Sequence, residues 1–164
     1  MALKTVLILP DLHCPEQDDQ AVETVCKLAR YIKPTHCVFL GDCLEGAGVS
    51  THIKDSISER ATTDLLEEFQ VFNSLFDKVT KYSKEVLITL GNHDDRLNKY
   101  ADEHPEVAKL IKFERCFELD ARRKAGKKIR ICKYNEALNL GKLWFTHGTY
   151  TGCLLYTSPS PRDA

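Results

Sequence analysis

Apolar positions in this chain follow two rhythms. Short, largely apolar runs occur at residues 5–9, 36–40, 86–90 and 142–146. Each has the length of a buried strand rather than of a helix. Between them, apolar residues return at helical spacing: Val22, Val25, Leu28, Ala29 and Ile32, then Leu65, Leu66, Phe69, Phe72, Leu75, Phe76 and Val79. The second stripe is aromatic-rich and broad, as a core-facing helix requires. Asp19 is placed to cap the first helix, and Lys33-Pro34 closes it. Thr63-Asp64 opens the second, and shorter helical stretches follow over 96–103 and 105–112. Ala125-Gly126 and residues 139–142 read as turns, with strands near 129–132 and 138–140. The strand–helix–strand opening predicts parallel pairing with a right-handed crossover. The later strands predict antiparallel pairing in a second sheet. The class is α/β, in one domain.

Chemistry gathers where the strands end. The first run breaks into Pro10-Asp11-Leu12-His13, and the second into Gly41-Asp42. The third breaks into Gly91-Asn92-His93-Asp94-Asp95-Arg96, and the last into His147-Gly148. Open α/β sheets bind ligands at the carboxyl ends of their strands. Gly91 permits a sharp turn or a close approach. Asp11 and His13 are two apart, so on an extended segment both side chains face one way. Carboxylates suit hard divalent ions, and imidazole suits Zn, Fe and Ni. A mixed oxygen and nitrogen set of this size fits a two-metal hydrolytic site.

The ordered set Asp11-x-His13, Gly41-Asp42, Gly91-Asn92-His93-Asp94 and His147-Gly148 resembles the calcineurin-like metallophosphoesterases. Their signature runs DxH, GD, GNH[DE], a lone His, then GHxH, and the last of these is missing here. The resemblance covers roughly the first 150 residues. It implies an α/β/β/α sandwich of two mixed sheets flanked by helices, lacking its final strands. It also implies two divalent ions, Mn, Fe, Zn or Ni. Asp11, His13 and Asp42 would hold one, and Asp42, Asn92 and His147 the other, with Asp42 bridging. His93 would act on the substrate rather than on metal, with Asp94 orienting its ring. The implied reaction is hydrolysis of a phosphomonoester or phosphodiester by a metal-bridging hydroxide. The implied substrates range over nucleotides, nucleic-acid ends and phosphoproteins. A catalytically inactive metal- or protein-binding scaffold on the same fold, or an inactive fragment of the enzyme, is the alternative.

Two further residues are candidates near the substrate. Arg96 lies two residues beyond Asp94 and suits either a phosphate oxygen or an ion pair with Asp95 or a nearby acid. His52 lies in a long loop that leaves Asp42, where it either faces substrate or is solvated. Cys14 and Cys43 each follow a predicted ligand, and read as packed thiols before metal-sensitive ones.

Composition narrows this picture. With 43% apolar and 29% charged residues, the chain is an ordinary globular one. A net charge of −1 creates no field to draw in nucleic acid. The basic run from Arg122 to Lys133 reads as a solvated face, so no stable nucleic-acid partner is expected. Seven cysteines without paired spacing fit reduced thiols. No apolar run nears a membrane span, no leader pattern opens the chain, and a cytoplasmic location is expected.

The last residues break the pattern. From Cys153 to Asp163 the sequence matches a translated transposase adapter of the kind used in short-read library preparation. The expected domain is therefore 1–152, incomplete, followed by a non-native tail over 153–164.

Overall fold

The computed structural model describes residues 4–50 and 64–148. Four strands make the main sheet: β1 (Val6–Leu9), β2 (His36–Leu40), β3 (Glu85–Thr89) and β4 (Lys128–Cys132), in that spatial order. All three pairings are parallel. Helix α1 (Asp19–Ile32) crosses from β1 to β2, and α2 (Leu65–Thr80) precedes β3. Helices α3 (Asn92–Glu103), α4 (Ala108–Ile111), α5 (Phe113–Cys116) and α6 (Leu119–Lys124) lie between β3 and β4. A hairpin of β5 (Leu138–Leu140) and β6 (Leu143–Phe145) forms an antiparallel second sheet. No helix among the described residues is long and apolar enough to cross a membrane.

The expectation for β4 needs correcting. It does not join the second sheet antiparallel; it extends the first sheet, parallel to β3. The helical segment 92–124 supplies the long crossover that parallel neighbours require. The basic run is split between two elements: Arg122, Arg123 and Lys124 sit on α6, and Lys128 and Arg130 on β4.

Alternation along the strands sorts the core into two layers. Leu7, Leu9, Cys37, Phe39, Val86, Ile88 and Ile129 face the helices. There Phe39 stacks on Phe76 at 5.2 Å and meets Phe72 edge-on at 5.3 Å. Val38 and Leu87 face the opposite way, against Phe145, Leu138 and Leu140 of the hairpin. Each fully buried apolar side chain is worth roughly 1.5–3 kcal/mol. A one-residue register slip would turn both layers inside out, so the register is firmly set.

Capping fixes the helix ends. Asp18, one residue before the expected cap, accepts from the Gln20 and Ala21 amides at 2.9 and 3.0 Å. Asp64 caps α2 through the Leu66 amide at 2.9 Å. Arg122 grips both oxygens of Asp77 at 3.0 and 3.1 Å. Arg130 donates to Glu85 at 2.7 Å, so several cations of the basic run are locally paired.

This register sets the strand ends side by side. Leu9 pairs with Phe39, and Leu40 with Thr89. The segments that follow therefore leave from one edge of the sheet.

Candidate metal centre

The loops after β1 and β2 continue as a zipper past the strands. Asp11 N–H donates to the Gly41 carbonyl at 3.3 Å, and His13 N–H to that of Asp42 at 2.9 Å. Cys14 N–H donates to the Cys43 carbonyl at 3.0 Å. Asp11, His13 and Asp42 hold left-handed backbones, with φ of 48°, 47° and 46°. The extended segment expected for Asp11 and His13 is therefore absent. Side chains other than Gly occupy this region at a cost of order 1–3 kcal/mol each, and such residues cluster at ligand clamps.

Asp42 is the hub. Its Oδ1 accepts the His93 backbone N–H at 3.0 Å. Its Oδ2 lies 3.3 Å from His147 Nε2 and 3.7 Å from His13 Nε2. The other nitrogen of each ring is engaged elsewhere. His147 Nδ1 lies 3.0 Å from the Leu40 carbonyl, and His13 Nδ1 lies 2.9 Å from Glu45 Oε2. Both Nδ1 atoms thus carry the proton, which turns two Nε2 lone pairs toward one carboxylate oxygen. Lone pairs and an anion repel when nothing lies between them. A cation there converts the repulsion into coordination, with each imidazole backed by an acceptor as metal-bound histidines are. Asp11 adds a second carboxylate, and Asp11, His13 and Asp42 offer ligand atoms all within 4.8 Å of one another. The residues fit a divalent ion.

Two glycines make this approach possible. A Cβ on Gly91 would collide with the Asp42 carboxylate and backbone nitrogen. A Cβ on Gly41, at φ +81°, would collide with the His147 ring. What approaches Gly91 closely is therefore Asp42 itself.

Helix α3 begins at Asn92, four residues earlier than the pattern suggested, with Gly91 as its N-cap. Asn92 is exposed on the first turn, and its amide makes no hydrogen bond among the described residues. Asp94 is fully buried and does not touch the His93 ring. It accepts from the backbone N–H of Cys43 at 2.9 Å, Leu44 at 3.1 Å and Gly91 at 2.9 Å. Burial pushes its carboxyl up to about 7, against the pull of these amides. Asp94 therefore ties the Asp42 loop to the α3 N-terminus, and the expected ring-orienting contact is not made.

Glu45 makes that contact instead. Its carbonyl accepts from His93 Nδ1 at 2.8 Å and from Arg96 Nη1 at 2.8 Å. Its carboxylate holds His13 and lies 3.5 Å from His93 Nδ1 and 3.8 Å from Arg96 Nη1. Arg96 Nη2 lies 3.1 Å from His93 Nε2, so it donates to that lone pair. Asp95 pairs with Lys99 at 3.1 Å, leaving Arg96 to Glu45. The His13 and His93 rings meet edge-on at 4.6 Å. His13, Glu45 and His93 form a second group able to hold a metal. Glu45 was missed in the sequence; its only signal is an acid three residues past Asp42, in the long loop that leaves Asp42.

Other candidates are simply placed. His52 lies outside the described residues. Cys14 and Cys43 are buried, and burial pushes the Cys14 thiol up to about 12 and raises that of Cys43, as suits packed, unreactive thiols.

The family model described as calcineurin-like phosphoesterase matches residues 4–162. The chain belongs to that family. Its members are metal-dependent hydrolases of phosphoesters, and the group Asp11, His13 and Asp42 could hold such a metal. No curated protein and no solved structure matches the chain.

Proposed function

We propose that this calcineurin-like phosphoesterase hydrolyses a small phosphomonoester or phosphodiester, such as a nucleotide or a nucleic-acid end, using two divalent ions that share Asp42. The observation that carries this reading is Asp42 Oδ2 between the Nε2 atoms of His13 and His147. Asp11 and His13 would complete one site, and Asn92 and His147 the other. When bound, the ions supply positive charge for the phosphate oxygens and acidify a water, lowering its pKa from about 16 towards 7.

The chain's own residues do the rest. Glu45 fixes His13 by its carboxylate and His93 by its carbonyl, so both rings are preset. His93 stands at the rim of the centre with Nε2 directed away from Glu45 and toward Arg96. Arg96 is suited to transfer its donors from His93 to a phosphate oxygen, since a guanidinium matches phosphate in a bidentate way. That transfer frees the Nε2 lone pair to take up a proton from solvent water and pass it to the leaving oxygen.

The test is metal content together with hydrolysis of an aryl phosphomonoester and an aryl phosphodiester, with Mn²⁺ and with chelator. Turnover that chelator abolishes and Mn²⁺ restores is the expected result. Bound metal with no turnover on either ester would assign the chain to the scaffold reading.

A further inference from the structure

Helix α2 carries a residue that packing alone does not explain. Glu68 is fully buried, in a helix otherwise packed through Phe72, Leu75, Phe76 and Val79. Its Oε2 accepts from the Gly46 backbone N–H at 2.8 Å. Its Oε1 is buried with no hydrogen-bond partner among the described residues. A buried polar group lacking a partner costs roughly 1–3 kcal/mol, so an apolar residue would serve the core better.

The Gly46 N–H and the Glu45 carbonyl are two ends of one peptide group. A peptide group is planar, and in the trans form its N–H and C=O point in opposite directions. One end here enters Glu68, and the other receives His93 Nδ1 and Arg96 Nη1. Swinging the plane breaks all three bonds together. An acceptor on the N–H also polarises the carbonyl, which strengthens what that oxygen accepts. Gly46 holds φ +62°, and a Cβ there would stand 3.0 Å from the His93 carbonyl, so the loop backbone rests directly on the first turn of α3.

We propose that Glu68 is a positioning residue for His93: by accepting the Gly46 N–H it holds the 45–46 peptide plane, and with it the carbonyl that sets the His93 tautomer and anchors Arg96. The inference rests on His93 as the group that acts on substrate. The essential property of Glu68 is an acceptor oxygen at full glutamyl reach, not a negative charge. The charges around it agree with that: Glu45 and Asp64 oppose its ionisation, and Arg96 only partly offsets them. Burial raises the carboxyl to about 7, so a neutral acceptor is already a large part of its population at neutral pH.

Glu68→Gln and Glu68→Asp separate reach from charge. Gln keeps the reach and drops the charge; Asp keeps the charge and withdraws by one methylene. The full chain is ¹⁵N-labelled, and long-range ¹H–¹⁵N correlations read which nitrogen of His93 carries the proton. The same samples give kcat and KM on an aryl phosphodiester, Mn²⁺ affinity, and thermal unfolding. Glu68→Gln is expected to keep the wild-type His93 signature and a kcat within about threefold. Glu68→Asp is expected to mix the two His93 tautomers and lower kcat about 10–100-fold, the scale of a small misplacement. Mn²⁺ affinity should stay within about twofold in both, and KM within about twofold in Glu68→Gln. Where Glu68→Asp unfolds at the assay temperature, Glu68→Leu carries the same expectation. The opposite order, with Asp normal and Gln impaired, would overturn the acceptor role. So would a wild-type His93 signature in every folded variant. If the wild-type chain shows no turnover, the phosphoesterase reading fails on its own, and the His93 signature alone still decides the role of Glu68.

Discussion

His147 Nε2 lies 3.3 Å from Asp42 Oδ2, which joins the end of the hairpin sheet to the end of a central strand of the parallel sheet. This contact ties a residue late in the described chain to the hub of the centre. His147→Ala is expected to weaken Mn²⁺ binding by at least about 10-fold while the fold survives, because the ring also backs onto Leu40 only through one hydrogen bond. Isothermal titration with Mn²⁺ measures this, and an unchanged affinity would remove His147 from the metal centre.

His93 touches Asp42 only through its backbone N–H, and its ring is held by Glu45 and Arg96. His93→Ala should therefore lower kcat by roughly 10²–10⁴, the scale of lost general acid–base catalysis. Metal content should match the wild type by elemental analysis. Loss of metal in this variant would make His93 a ligand.

Asp94 predicts a different outcome from its neighbour. Removing its carboxylate strands the amides of Cys43, Leu44 and Gly91, each buried donor costing about 1–3 kcal/mol. Asp94→Ala is expected to lose about 3 kcal/mol or more in urea unfolding, well beyond His93→Ala. A stable Asp94→Ala chain with abolished turnover would point to a chemical role instead.

Glu68 gives stability a pH dependence of known sign. Its carboxyl rises from 4.5 to about 7 on folding, so between those values the folded chain holds a proton that the unfolded chain has released. This contribution is full below the lower value, declines as pH rises, and is gone above the upper one. Glu68→Gln has no such proton. Urea unfolding at about pH 5 and about pH 7.5 should show the wild type losing more stability across the interval than Glu68→Gln. Equal losses would mean that Glu68 does not titrate as its burial implies.

The amino-acid sequence alone determined the strands, the two long helices and the edge at which chemistry gathers. It could do so because periodicity and capping are local properties, carried by residues close in the chain. The gathering of Asp11, His13 and Asp42 at one edge follows for the same reason: each comes just after an apolar run, and parallel β1 and β2 end side by side, while His147 reaches that edge from the hairpin sheet. Tertiary structure decided what local pattern does not encode. Strand β4 joined the parallel sheet because the helices between residues 92 and 124 form a crossover, which only packing reveals. Asp94 turned from the His93 ring to three amides because helix α3 begins at Asn92 and carries its side chain under the Asp42 loop. Glu45 and Glu68 entered the site through one peptide group, whose two ends are met by residues 22 to 51 positions away. Hydrogen bonds across such distances depend on the folded path of the backbone, so no spacing in the sequence announces them.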